Sequence, residues 1–191
     1  VCKSRLEKML DHEYQLLDER LDRKKYSKSK FFTYADTIST INYSKTLKGH
    51  GWIGVRFQND PKEKPSDFII HIILNDQDAK LQQETIGIIG TNILHACFNE
   101  KDPKEILKRA YDNLEKEQFE IDMVEATGPN FKNVDNRLLS LTLVKERMTN
   151  AVIFTPDGKN KQPSDILYKK NILTMRGSFR PVTKVNIDML E

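Results

Sequence analysis

The chain has 191 residues, 38% of them hydrophobic and 31% charged, with 31 basic and 28 acidic side chains and a formal charge of +3. This balance suits one domain with a sizeable core and excludes a disordered or membrane-embedded chain. The basic excess is small and interspersed, which is no nucleic-acid footprint. The longest apolar run, 68–74, is broken by His71 and is too short to span a bilayer. Two cysteines, Cys2 and Cys97, lack motif spacing and read as reduced thiols of a cytoplasmic protein, with a disulfide between them as the minor alternative. The sequence opens at Val1, directly in a helical pattern, as a fragment of a longer chain would.

In chain order, Leu6, Met9, Leu10, Leu16, Leu17 and Leu21 recur at helical spacing, so residues 2–23 predict an amphipathic helix. The basic run 23–30 follows, either a phosphate-binding patch or a solvated loop. It has no stacking aromatics or glycine cradle, which favours the loop. Strands are expected at 31–36, 52–57 and 68–75, forming an antiparallel or mixed edge. Residues 37–50 are polar and fit no pattern, and 59–66, with Pro61 and Pro65, is a surface turn. Segment 68–75 is apolar on both faces, which suits a central strand covered from both sides. Ile86, Ile89, Ile93 and Cys97 make the stripe of a helix over 79–98, and Asp102-Pro103 starts another.

The unit that organises this expectation is 119–154. A strand at 119–124, a loop headed by Thr127-Gly128-Pro129-Asn130, a helix from Asn136 capped by Asp135, and a second strand at 151–154 spell a parallel crossover. Asp157-Gly158 is a turn, Gln162-Pro163 starts a short helix, and 171–175 reads as a last strand. The expected fold is a single α/β domain over 1–191: a mixed, partly parallel, Rossmann-like sheet with helices on both faces. Such sheets hold ligands at the carboxyl ends of their strands.

Few residues carry chemistry. Arg176 and Arg180 flank Gly177 and Ser178, which suits a phosphate or carboxylate, or else a turn bonded to the chain's own carbonyls. Asp135, Asn136 and Asn130 suit a sugar hydroxyl or an amide better than a phosphate, because Asp135 already caps its helix, or else they form a structural cap and turn. His50 lies between Gly49 and Gly51, which would let the backbone expose its imidazole, and Trp52 could stack on a flat ligand. His50 is thus a candidate general acid or phosphate donor, or a plain loop histidine. His71 and His95 read as satisfied core residues, and His12 lies on a charged helix face. Asp36, Asp76, Asp122 and Asp135 stand at element ends, which admits a magnesium site, though nothing in their spacing selects it over surface placement, and the sequence identifies no cofactor. P-loop, GxGxxG, HExxH, CxxC and GxSxG motifs are absent.

Several stretches resemble a widespread bacterial family. They are 1–6, His50-Gly51-Trp52-Ile53-Gly54-Val55-Arg56-Phe57-Gln58, 83–90, Val134-Asp135-Asn136-Arg137-Leu138, 149–152, 167–170 and 176–183. Members are longer at both ends and are labelled either TonB-dependent receptor or nicotinamide/nicotinate mononucleotide adenylyltransferase. The helical periodicity here does not suit an outer-membrane barrel. The second label implies an α/β fold and ATP binding through an H/TxGH motif. Leu47-Lys48-Gly49-His50 carries its Gly and His with leucine at the first position, and Ile38-Ser39-Thr40 resembles part of an ISSTxxR-like motif without the arginine. The resemblance implies a nucleotidyltransferase-like enzyme acting on a nucleotide or phosphorylated small molecule. Arg176, Ser178 and Arg180 would hold phosphate, His50 the transferring group and Asp135 the ribose. The missing motifs leave open a non-catalytic nucleotide- or metabolite-binding module, or an oligomer's structural protomer.

Overall fold

A computed structural model describes residues 2–22 and 24–190. Its elements are α1 (Lys3–Arg20), β1 (Phe31–Ser39), β2 (Gly49–Gln58), β3 (Ser66–Leu74), α2 (Ala79–Asn99), α3 (Pro103–Arg109) and β4 (Phe119–Thr127). These are followed by α4 (Asn136–Lys145), β5 (Ile153–Phe154), β6 (Asn160–Lys161), α5 (Pro163–Leu167) and α6 (Lys184–Asp188). Strands β1 to β4 form one sheet in sequence order, every neighbouring pair antiparallel.

The partly parallel, Rossmann-like sheet expected from the sequence is therefore not formed. Connections β1–β2 and β2–β3 are too short for a parallel crossover, which needs a dozen or more residues. Between β3 and β4 lie two helices rather than one. They return the chain to its starting end, so that Phe119 pairs beside Leu74. The decisive change is at 119–154. The Asn136 carboxamide accepts from Ala126 N (2.8 Å) and donates to Ala126 O (3.0 Å), and Ile121 N donates to Met148 O. These contacts occupy backbone groups on the outer edge of β4 that a fifth, parallel strand would need. Ile153–Phe154 instead pairs with Asn160–Lys161 in a separate antiparallel hairpin, turned at Gly158 with φ +79°. The expected strand at 171–175 is also not formed.

Alternation along each strand sorts side chains into two layers. Ile53, Val55, Phe57, Phe68, Ile70, Ile72, Leu74, Phe119, Ile121 and Val124 form the larger core against Ile89 and Ile93 of α2, Ile106 and Leu107 of α3, and Leu139 and Leu143 of α4. On the opposite face Leu6 and Leu10 of α1 pack with Ala35, Trp52, Ile69 and Met123. Strand β3 is covered on both faces, as its continuous apolar character predicts, without being parallel.

Helix α1 lies where Gly54 leaves room: a Cβ there would come within 2.7 Å of Leu10 Cδ1 and 3.0 Å of Leu6 Cδ2. Arg56 holds it further, with two hydrogen bonds to Asp67 (2.8 and 2.9 Å) and one to Asp11 (2.7 Å). Cys2 and Cys97 are both free, and Cys97 is buried. Residues 24–28 of the basic run are exposed, and Arg23 lies outside the described residues. No helix among the described residues is long and apolar enough to cross a membrane.

Leu10 is fully buried, so Leu10→Ala should lower unfolding free energy by about 2–5 kcal/mol. Urea denaturation of the variant checks this, and a change well under 1 kcal/mol would mean that α1 does not pack here.

Candidate functional site

Four cross-strand rows line the α1 face of the sheet. Thr33–Arg56–Asp67–Thr127 and Ala35–Gly54–Ile69–Glu125 are crossed by α1. Thr37–Trp52–His71–Met123 lies at its border, and Ser39–His50–Ile73–Glu120 lies beyond it. The last row is roofed instead by 149–151 and 162–164, which leaves a cavity of about 530 Å³. Its walls include Leu47, Ile73, Ala151 and Pro163, with Ser39, Lys48, His50, Glu120, Thr149 and Asn150 as polar groups.

A chain of hydrogen bonds forms part of its floor. His71 Nδ1 lies 2.5 Å from Asp122 Oδ1, with both side chains buried. His71 Nε2 lies 3.3 Å from His50 Nδ1. The Trp52 ring flanks His71 at 4.9 Å. Asp122 reaches His71 because the β3–β4 register shifts between His71 and Ile72, an edge-strand bulge that places Asp122 and Met123 on one face.

The chain sets its own tautomers. A carboxylate can only accept, so neutral His71 carries its proton on Nδ1. His71 Nε2 must then accept, and His50 Nδ1 must donate. His50 Nε2 is left as a lone-pair acceptor with no hydrogen bond among the described residues. Partial burial, and next the neighbouring His71, hold the His50 imidazole below its ordinary 6.5, while Asp122 opposes them. A neutral imidazole with an open nitrogen can take a proton, and Asp122 and His71 can stabilise the resulting cation.

The glycines around His50 serve packing rather than exposure. Both lie in an extended strand. A Cβ on Gly49 would sit 2.2 Å from Gln82 Oε1, and one on Gly51 would sit 2.3 Å from the Thr37 carbonyl oxygen. Gln82 is fully buried; it accepts from Ile41 N (2.7 Å) and donates to Asp76 O (2.7 Å). It ties the β1–β2 loop and the β3–α2 loop to α2 behind the site.

The sequence candidates divide into three groups. His50 stands in the cavity just described. Trp52, Asp135 and Asn136 line an adjoining cavity of about 580 Å³ that shares Gln162 with the first and also includes Arg137, Lys159 and Lys161. There Asp135 caps α4, and the Arg137 guanidinium lowers its carboxyl to about 2. Asn136 is committed to the edge of β4. Arg176, Ser178 and Arg180 are exposed, line neither cavity, and belong to a segment whose Leu173, Met175, Phe179 and Val182 line a separate small cavity with Asn186, Ile187 and Leu190. His95 is exposed and bonds Asn99, not core, and His12 is exposed as expected.

Sequence reasoning gave no role to Glu120 or to Thr149, whose hydroxyl donates to Glu120 at 2.5 Å. It read His71 as a satisfied core residue, and His71 is buried and bonded to Asp122, but it weighed Asp122 only as a magnesium ligand and met Ser39 only in the partial ISSTxxR-like match. The available signal was a histidine and an aspartate inside apolar strands, which only the antiparallel register brings together. Among the described residues no three His, Cys, Asp or Glu side chains converge on a metal position. No protein-family model, curated protein or solved structure matches the chain.

Two outcomes test this geometry. Gly49→Ala should cost about 1–3 kcal/mol by displacing Gln82, a loss visible in urea titration and absent if Gln82 swings freely. Because the folded His50 value lies below the unfolded 6.5, the unfolded state binds more protons between the two values. The His50 contribution is present above pH 6.5, declines as pH falls, and levels off below the folded value. A histidine-resolved NMR titration checks the direction, and a His50 midpoint above 6.5 would contradict it.

Proposed function

We propose that the protein is an enzyme that binds a small organic molecule against His50 and uses His50 Nε2 as a general base. The observation that carries this is the Asp122–His71–His50 chain ending on an open nitrogen in a cavity. A histidine kept only for packing needs no second histidine and buried carboxylate to fix its tautomer. The mainly apolar walls with a few polar groups are those of a small-molecule site. The exposed free Cys2 and buried free Cys97 support a cytoplasmic setting.

A nucleotide or phosphorylated small molecule is the second reading. The observation favouring it is the adjoining cavity, which joins the first at Gln162 and brings Trp52, Asp135, Lys159 and Lys161 beside it. Lys48, Lys159 and Lys161 line the two cavities, whereas Arg176 and Arg180 line neither. The resemblance to a nucleotidyltransferase family points the same way, with His50 facing the transferring group.

Long-range nitrogen-proton NMR of the imidazoles tests the first reading without knowledge of the substrate. At pH 7.5 the expected spectrum has His50 protonated on Nδ1 alone and His71 on Nδ1 alone. A proton on His50 Nε2 would end the general-base reading. Adding ATP, NMN and NAD in turn separates the second reading: at 100 times its dissociation constant a true ligand adds about 2.7 kcal/mol of apparent stability. No thermal shift with any of the three would remove these nucleotides as ligands.

A further inference from the structure

Ser39 ends β1 directly opposite His50 of β2, and both line the same cavity. Paired positions on antiparallel strands place their Cβ atoms about 4.5–5.5 Å apart on one face. A serine hydroxyl can reach an imidazole nitrogen across that gap by choice of rotamer. His50 Nδ1 is committed to His71 on the β3 side. Nε2, across the ring, is the nitrogen left to a partner.

The Ser39 hydroxyl is weakly held. Its acceptor, the Thr40 carbonyl, lies at 3.5 Å, the outer limit of a hydrogen bond. The other hydroxyls of the cavity are less suited. Thr149 is committed to Glu120, and Ser164 stands on the roof in α5 rather than on the sheet beside His50. Glu120 is separated from His50 by Ile73.

From this juxtaposition we infer that Ser39 is a nucleophile activated by His50, and that the protein hydrolyses carboxylic esters or thioesters of a small, mainly apolar acyl group. The inference rests on His50 acting as a base. It extends the chain to serine, histidine, histidine and aspartate, in which nucleophile, base and orienting carboxylate keep the roles of a hydrolytic triad.

The steps balance with water as the only co-reactant. Ser39 Oγ bonds to the carbonyl carbon as its proton passes to His50 Nε2. His50 then carries a positive charge, stabilised through His71 by Asp122. The bond from carbon to the leaving oxygen or sulfur breaks, and the leaving group takes the proton from His50. A water molecule gives its proton to His50 and attacks the acyl-serine. The ester bond to Ser39 Oγ breaks, Oγ recovers a proton from His50, and the acid departs. Lys48, without an ion pair among the described residues, and Asn150 line the same cavity and are the donors available for the oxyanion. Leu47, Ile73, Ala151 and Pro163 would receive the acyl chain.

The test uses the full chain and a fluorophosphonate probe, whose phosphorus forms a stable bond to an activated serine as fluoride leaves. The adduct is mapped by peptide mass spectrometry. The expected result is one adduct, on Ser39, lost in Ser39→Ala and slowed roughly 100-fold or more in His50→Ala. Hydrolysis of p-nitrophenyl acetate should show a burst that Ser39→Ala abolishes. Ser39 is exposed, so its alanine variant should keep the parent melting temperature, and loss of labelling then reports chemistry. An adduct on Ser164, or none at all, overturns the inference. With His50 Nε2 found unprotonated, that result removes Ser39 alone and leaves His50 as a base; a protonated Nε2 removes both.

Discussion

The hydrogen bond between Asp122 and His71 is the contact on which the rest of the site depends. A carboxylate with so little solvent contact is costly unless it is paired and hydrogen-bonded, and His71 is the partner that the structure gives it. The pair needs the bulge in β4, because without the extra residue Asp122 would point to the other face, into the helical core. With His71 neutral, it leaves no freedom downstream. One proton position on His71 dictates one on His50, and a lone pair is presented to the cavity. Truncating Asp122 would thus disturb more than a charge, since both imidazoles would lose the group that orders them.

The position of the cavity follows from partial cover. Helix α1 spans only part of its face, seated on Gly54 and held at Arg56. Its leucines dry the sheet under them and stop short of the row containing His50. The opposite face has three helices and is closed. The asymmetry keeps a strongly packed sheet beneath a partly open polar row, and a rigid floor is what a positioned base requires. Gln82 adds stiffness from behind, because the loops entering β2 and leaving β3 meet on one buried carboxamide.

Much of this was legible in the sequence, and the misses share one cause. Hydrophobic alternation and caps located α1, β1 to β4, α2 and α4 to within a few residues, and the two-sided burial of β3 followed from its apolar run. Local signals do not encode strand direction. A strand, helix and short apolar run at 119–154 looks identical whether the last piece joins the sheet or leaves it. The deciding residue, Asn136, was read as a ligand contact rather than as the group that ends the sheet. For the same reason His50 stood out beside its glycines while His71 and Asp122 did not. They become a site only when β2, β3 and β4 run side by side in alternate directions. Arg176 and Arg180 drew attention as a polar cluster, but no local signal placed them away from the cavity.

The carboxamide of Asn136 has a consequence for association between chains. An uncovered edge strand invites a strand from another molecule, the usual first step in sheet-mediated aggregation. On β4 the Ala126 N–H and C=O are both taken by a side chain that copies a peptide group. The Ile121 N–H is taken by Met148 O, and the bulge twists the ladder between them. A second molecule adding along β4 would have to displace these bonds and flatten that twist. The feature that stops the sheet at four strands thereby also shields this edge from self-association.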